Sequence, residues 1–314
     1  MKSISTPAFT AAIAVALCCT PAQVSARGVC YDPAHNTDVT VEAITADLQQ
    51  IKANGFSGIR TYYTKFDDTD LGTLAIAQGL NVSLGIPFSN TDASASQIHI
   101  DAALAVAAKY EQDNARVLHI FVGNENLASV DQVPAEMVTF IDKIKAQAPE
   151  NVEVGTVQRN TELLDSSRIN AISGLKDLLA TCEVVGVNIH PIFTPSTAAE
   201  KAIDLVKAQW GSLQGETTAA AFPGLADKLA ITETGWPTGG SSNGNTGTLA
   251  GAQTYYNDYA AWSADNDLDA TSRSFYFQMF DQPQRTDGVF EPYFGLVDSE
   301  GTVKFALDTT TTLA

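Results

Sequence analysis

The chain has 314 residues, of which 45% are hydrophobic and 17% charged, so it can bury a large core and does not have the composition of a disordered protein. Its formal net charge of −18 repels phosphate backbones and anionic membrane surfaces. These features argue against nucleic acid or a membrane as a partner and suit a neutral or cationic one.

Residues 1–26 have the pattern of a secretory signal: Lys2 near the start, a short apolar stretch, and a small-x-small ending. The apolar stretch is shorter than the roughly 20 residues that a membrane anchor needs. We therefore expect export, giving a secreted, extracellular or cell-wall protein. The mature chain, residues 27–314, then has 17 basic and 36 acidic residues, for a net charge of −19. Its two cysteines, Cys30 and Cys182, could pair in an oxidising compartment or remain buried thiols.

Short apolar runs rich in Val and Ile alternate along the mature chain with segments of helical period, such as Val41, Ile44, Leu48 and Ile51. This strict alternation without a linker predicts a parallel sheet in one domain, and eight units predict a single (β/α)8 TIM barrel. A doubly wound open sheet is the alternative, although no GxGxxG follows its first strand. The eight predicted strands are residues 28–32, 58–63, 81–88, 117–125, 152–159, 184–191, 228–236 and 273–280.

Two predicted strands end in a glutamate. In "HIFVGNENLAS" the apolar run stops before Asn124 and Glu125, and in "LAITETGWPTGG" it stops at Thr232 and Glu233. The carboxyl ends of barrel strands share one rim, so both glutamates are predicted to face the same opening. A lone glutamate there is more often a capping or ion-paired residue, but paired carboxylates flanking a scissile bond are typical of glycoside hydrolysis.

Three further residues are candidates for sugar contacts. Asn124 could donate a hydrogen bond to the hydroxyl next to the anomeric carbon. Trp236 could offer an apolar platform to a pyranose ring, or simply pack under a loop. His190, at the end of the sixth strand, is predicted at the rim as a sugar neighbour or as a structural histidine. No His, Cys and carboxylate cluster has metal-ligand spacing, so we expect no metal and no other cofactor.

The motifs together resemble glycoside hydrolase family 17, particularly its fungal-type cell-wall β-1,3-glucanases and glucanosyltransferases. The resemblance rests on "VGNE" and "ITETGWP", with "GIRTYY" before them, "GVNIHP" between them and "FEPYFGL" after them, and it spans essentially all of the mature chain. It implies a retaining double displacement with Glu125 as acid/base and Glu233 as nucleophile. It also implies that Tyr62 orients the nucleophile, that Glu291 is a further glutamate at the rim, and that Phe280 lines the cleft.

One departure from the family lies at Gln282, where fungal members often have a glutamate, so the resemblance constrains the substrate subsites less than the chemistry. The sequence thus predicts a monomeric retaining hydrolase of β-1,3-glucan. The alternatives are a glucanosyltransferase, in which a second sugar replaces water, and a non-catalytic glucan-binding wall protein on a retained barrel. Only the enzymes require both glutamates.

Overall fold

Eight parallel strands close into a barrel in the computed structural model of the protein, which describes residues 27–307. Each strand pairs with the strands before and after it in sequence, and the last pairs with the first. The predicted TIM barrel and all eight of its strands are confirmed. The predicted signal, residues 1–26, lies outside the described residues. The barrel strands are β1 (Gly28–Cys30), β2 (Gly58–Arg60), β3 (Asn81–Ile86), β4 (Val117–Asn124), β5 (Glu153–Arg159), β6 (Val184–Asn188), β7 (Leu229–Thr234) and β8 (Ser274–Tyr276).

Helices of very different length connect the strands and pack around the barrel. The loops after β2 and β7 each contain a short hairpin, formed by Lys65–Phe66 with Thr69–Asp70 and by Ser241–Ser242 with Asn245–Thr246. The α-helices of the described residues are α1 (Val41–Ala53), α2 (Leu71–Ala77), α3 (Ser96–Lys109), α4 (Ala135–Lys145), α5 (Asn160–Leu164), α6 (Ser166–Ala171), α7 (Leu175–Thr181), α8 (Ala199–Gln214), α9 (Glu216–Ala221) and α10 (Leu249–Asp265).

Helix α1 illustrates how the local sequence builds this outer layer. The Thr40 hydroxyl accepts a hydrogen bond from the Ala43 amide and so caps the first turn. Ile44, Leu48 and Ile51 recur at helical spacing and are fully buried against the barrel. Beyond the C-terminus, Gly55 has φ of 83°, a left-handed conformation that glycine adopts without steric cost.

Cys30 and Cys182, the two cysteines of residues 27–307, are free, buried thiols. The Cys30 thiol donates to the Thr232 carbonyl, and the thiol of Cys182, which directly follows α7, donates back to the Leu178 carbonyl of that helix. The sequence left open whether Cys30 and Cys182 pair or remain thiols, and in the structure they are separate thiols. Among residues 27–307, no helix is both long enough and apolar enough to cross a membrane.

Candidate active site

A cleft of about 400 Å³ opens at the carboxyl ends of the barrel strands. Its lining combines polar side chains with several aromatic rings. Residues far apart in sequence meet there because every strand of a (β/α)8 barrel delivers its carboxyl end to the same rim. Six of the predicted site residues line this cleft: Tyr62, Asn124, Glu125, His190, Glu233 and Glu291.

Glu233, near the end of β7, is almost fully buried, with an exposed fraction of 6%. The Arg60 guanidinium donates to Oε1 at 2.6 Å, and His190 Nε2 lies 3.1 Å from Oε2. Burial by itself raises the pKa of Glu233, but the charge of Arg60 and the hydrogen bond from His190 outweigh it and lower the pKa to about 2. Glu233 is therefore an ionised carboxylate, and His190 must carry a proton on Nε2 to donate to it.

Arg60, the last residue of β2, organises the floor of the cleft. It is 1% exposed and donates to the Thr232 carbonyl and to Asn124 Oδ1 in addition to Glu233. The Tyr62 ring lies under its guanidinium at 4.7 Å. Among the described residues no hydrogen bond joins Tyr62 to Glu233, and Arg60 and His190 make the direct contacts with this carboxylate. A role of Tyr62 in orienting the nucleophile stays a prediction.

Glu125 follows β4 directly and has left-handed backbone geometry, with φ of 57°. A non-glycine residue in this region is strained, and such strain is often found at functional sites. The conformation is held by the Glu125 amide, which donates to the Val157 carbonyl at 2.9 Å. Asn188 Nδ2 donates to Glu125 Oε1 at 2.8 Å. Burial and the negative charge of Glu233 raise the pKa of Glu125, so this carboxyl holds its proton to higher pH than an ordinary glutamate.

The two glutamates therefore differ in the way that acid–base chemistry requires. Glu233 is held ionised by a buried arginine, whereas Glu125 is pushed towards its protonated form by burial and by Glu233 itself. Pairs of carboxyls whose environments drive their pKa values apart divide the roles of acid and of nucleophile or base. Within residues 27–307, no group of three or more His, Cys, Asp or Glu side chains is placed to hold a metal ion.

Two aromatic residues predicted at the cleft do not reach it. Trp236 is 1% exposed and packs against Tyr255 of α10, with ring centroids 6.4 Å apart. Phe280 is 5% exposed and stacks on the His35 ring at 4.2 Å. Neither lines the cleft, so the predictions of Trp236 as a sugar platform and of Phe280 as a cleft residue are wrong. Both rings lie just beyond their strands, where burial against neighbouring rings removes their apolar surface from water.

The most exposed aromatic rings of the cleft lining are Tyr63 and Phe193, with exposed fractions of 38% and 51%, whereas Tyr62 and Phe88 are half-buried. Tyr63 stands in the "GIRTYY" motif after β2, and Phe193 comes three residues after His190. Asn245, from the Ser241–Thr246 hairpin, donates to the backbone carbonyls of Ile192 and Thr194 on either side of Phe193. The position of Phe193 is thus fixed by its backbone although its ring faces solvent.

Arg60 and Asn188 were not identified as site residues from the sequence. Both stand inside the quoted motifs, "GIRTYY" and "GVNIHP". Each is a polar residue at the end of an apolar barrel strand, and that position was the sequence signal that could have identified it.

Arg285, which also lines the cleft, forms an ion pair with Glu291 at 2.8 Å. Burial raises the pKa of Glu291, and the charge of Arg285 partly opposes this. Glu291 therefore lies in the cleft as predicted, held by a cation from the same loop.

A barrel with a rim cleft and two glutamates of opposite proton affinity has the site architecture of the glycoside hydrolases. The chain belongs to the family of BtgE/BtgC glycoside hydrolase domains, whose family model matches residues 28–295. A relative from Neosartorya fischeri, named "Probable beta-glucosidase btgE", is 27% identical over 260 residues, which are 82% of this chain and 43% of the relative. The protein of the same name from Aspergillus terreus is 28% identical over 276 residues, 86% of this chain and 45% of the relative. The chain thus spans less than half the length of these relatives.

Solved structures share the barrel at low sequence identity. An endo-laminarinase from Formosa has a TM-score of 0.72 at 16% identity, covering 88% of this chain and 84% of its own. A glycoside hydrolase family 17 β-1,3-glucanosyltransferase from Rhizomucor miehei has a TM-score of 0.70 at 19% identity, and the match covers 90% of this chain and 98% of that protein. A β-1,3-glucanase and allergen of Cryptomeria japonica pollen has a TM-score of 0.67 at 19% identity, and the match covers 92% of this chain and 99% of that protein. At these identities the likeness concerns the fold.

Proposed function

We propose that this protein is a retaining glycosidase that cleaves β-1,3-glucan in an endo fashion, with Glu233 as nucleophile and Glu125 as acid/base. The observation that carries the proposal is the pair of glutamates in one cleft, one held ionised by Arg60 and the other with a raised pKa. Membership of a glycoside hydrolase family supports the reaction type. The substrate class is supported by the names of the fold neighbours, which include a laminarinase and a β-1,3-glucanase.

In the first step Glu233 attacks the anomeric carbon and forms a glycosyl ester. The bond from that carbon to the glycosidic oxygen breaks, and its electron pair goes to the oxygen, which takes the proton of Glu125. A water molecule then gives its proton to Glu125 and attacks the same carbon, releasing Glu233 as a carboxylate. This double displacement requires the two carboxyl groups to lie about 5 to 5.5 Å apart.

The electrostatics of the cleft suit this exchange of roles. The negative charge of Glu233 is one cause of the raised pKa of Glu125. That charge disappears when Glu233 becomes an ester, so Glu125 then loses its proton more readily and can act as the base. Arg60, 2.6 Å from Glu233, stabilises the carboxylate that is regenerated in the second step.

Asn124 is prepared to recognise a sugar hydroxyl. Its Oδ1 accepts hydrogen bonds from Arg60 at 2.9 Å and from Asn188 at 3.1 Å, so its amide nitrogen remains for the substrate. The exposed rings of Tyr63 and Phe193 are the apolar surfaces on which pyranose faces can lie. A glucan chain would therefore be held by one hydroxyl contact next to the reacting carbon and by rings farther along the cleft.

Substitution of each glutamate tests the assignment. Glu233→Ala should abolish turnover, and added azide should yield a glycosyl azide of inverted configuration. Glu125→Ala should lose activity on laminarin oligosaccharides while still attacking activated aryl glucosides, whose leaving groups need little protonation. Glu216→Ala, at an exposed position of α9, is the matched control and should behave as wild type. Near-normal activity of Glu233→Ala without azide would show that the nucleophile is elsewhere.

Product analysis distinguishes hydrolysis from the alternative, a glucanosyltransferase. Both pass through the same glycosyl-enzyme and differ only in whether water or a second sugar accepts the glycosyl group. Proton NMR of early products should show the β-anomer, and α-anomers would exclude a retaining mechanism. Chromatography at high donor concentration then tests for transfer: a complete absence of chains longer than the donor leaves a plain hydrolase, because water alone then accepts the glycosyl group.

We also propose that the protein is exported and acts as a monomer. The basis for export is the signal pattern of residues 1–26, and an acidic mature chain suits an extracellular polysaccharide that carries no charge. N-terminal sequencing of protein from the culture medium should find a chain that begins at or near Arg27. Size-exclusion chromatography of that material checks the expected monomer.

A further inference from the structure

A continuous chain of hydrogen bonds joins the two glutamates beneath the cleft. Arg60 donates to Glu233 Oε1 at 2.6 Å and to Asn124 Oδ1 at 2.9 Å. Asn188 Nδ2 donates to the same Asn124 oxygen at 3.1 Å and to Glu125 Oε1 at 2.8 Å. Asn188 is 2% exposed, so its amide has no access to alternative partners in bulk water.

The direction of every bond in this chain follows from Arg60. A guanidinium can only donate, so Asn124 must turn its oxygen towards it. That oxygen in turn requires the NH2 group of Asn188, not its carbonyl, to face Asn124 and Glu125. Thr232 Oγ1 completes the arrangement by donating to Asn188 Oδ1 at 2.9 Å. The orientation of the Asn188 amide is therefore fixed from both ends.

A donor fixed against Glu125 Oε1 restricts where the acidic proton of Glu125 can lie. A proton on Oε1 would compete with the Asn188 hydrogen for the same oxygen, whereas among the described residues no hydrogen bond reaches Oε2. We propose that Asn188 is a positioning residue that keeps the transferable proton of Glu125 on Oε2 and sets the upper pH limit of catalysis. This inference rests on the proposed role of Glu125 as acid/base.

Other groups act on Glu125 without contacting it. Burial and then the charge of Glu233 raise the pKa of Glu125, and the charges of His190 and Arg159 lower it. Arg159 is itself paired with Glu162 at 2.6 Å, which reduces its influence. The Asn188 hydrogen bond also lowers the pKa, because it stabilises the ionised carboxyl. Asn188 is thus the uncharged group that offsets burial and Glu233 by direct contact.

The test is the pH dependence of kcat/KM in Asn188→Ala. Loss of the donor should leave Glu125 protonated to higher pH, so the alkaline limb should move up by about one pH unit. At the optimum, kcat/KM on a laminarin oligosaccharide should fall roughly tenfold, because the proton is no longer held on Oε2. On an activated aryl glucoside kcat/KM should change little, since that substrate needs no acid and Arg60 still holds Asn124.

Asn188→Ser is the second variant, since it also removes the amide donor but leaves a small polar group that can pair with Thr232. Asn170→Ala, at an exposed position of α6, is the matched control and should keep the wild-type profile. Circular dichroism confirms folding of each variant. An alkaline limb that stays in place in a folded Asn188 variant, or equal losses on the two substrates, would overturn the inference.

The same measurements separate this inference from the proposed function. If Glu125→Ala loses activity on laminarin oligosaccharides but retains it on activated aryl glucosides, while the Asn188 variants keep the wild-type alkaline limb, only the role of Asn188 is wrong. If Glu125→Ala keeps its activity on both substrates, the acid/base assignment itself fails.

Discussion

Replacement of Arg60 by methionine should destabilise the folded protein by leaving a carboxylate buried without its cation. Arg60 and Glu233 are 1% and 6% exposed, and their closest atoms are 2.6 Å apart. Methionine keeps an unbranched apolar stem of similar reach but has no charge. At neutral pH the Arg60→Met protein must therefore either keep a buried carboxylate that has only the hydrogen bond from His190, or bind a proton at Glu233.

The size of the effect follows from the pKa of Glu233, which lies at about 2 in place of the ordinary 4.5. Each tenfold change in acidity corresponds to about 1.4 kcal/mol, so the ionised form is favoured in the folded state by about 3 kcal/mol. This agrees with the roughly 3 to 5 kcal/mol expected when one partner of a buried ion pair is removed. Because the pKa is lowered on folding, this stability is present above about pH 4.5 and is lost as the pH falls towards 2.

Urea-induced unfolding of four proteins measures the coupling: wild type, Arg60→Met, Glu233→Gln and the double variant. At pH 7, Arg60→Met should lower the free energy of unfolding by about 3 kcal/mol in the wild-type background. The same change should lower the free energy of unfolding much less in the Glu233→Gln background, because the neutral amide of Gln carries no charge that needs a partner. The difference between the two backgrounds should shrink near pH 2 as Glu233 is protonated. Equal costs in the two backgrounds at pH 7 would refute the reasoning.

Three further predictions concern the cleft and the core. Phe193→Ala should raise the KM for long laminarin oligosaccharides by roughly tenfold, because a ring that is 51% exposed is lost from the cleft. The KM for an aryl glucoside should not change. An unchanged KM for the oligosaccharides would contradict a platform role. Trp236→Ala should instead lower the free energy of unfolding by about 3 to 5 kcal/mol in urea titrations without raising the KM of the folded enzyme, because its ring is buried. Dithiothreitol should not alter the urea midpoint of the wild type, since Cys30 and Cys182 are separate thiols, and a lowered midpoint would point to a disulfide.

The sequence was sufficient for the barrel because its signals are local. Strands and helices can be predicted from the spacing of apolar residues over a few positions, as in Ile44, Leu48 and Ile51 of α1. The strict alternation of strands with helices is then compatible with few topologies. The ends of β4 and β7 were predicted closely enough to bring Glu125 and Glu233 to one rim, since all parallel strands of a barrel point the same way.

Which rings face the cleft was decided by the tertiary structure. Trp236 and Phe193 each follow a barrel strand by a few residues, but the sequence analysis identified only Trp236 as a possible platform. The structure buries Trp236 against Tyr255 and leaves Phe193 at the opening, held by Asn245 from a hairpin about 50 residues away. The path of a loop depends on partners that are distant in sequence, and no local pattern encodes it.

The electrostatic setting of the two glutamates was likewise decided by the fold. A glutamate at a strand end has the same sequence signature whether it is ionised or protonated. Arg60 lies 173 residues from Glu233, and Asn188 lies 63 residues from Glu125. Burial, the nearest charge and the nearest donor determine a pKa, and all three depend on which strands become neighbours when the barrel closes. The sequence alone thus determined that two carboxyls share a rim, while closure of the barrel decided which one keeps its proton.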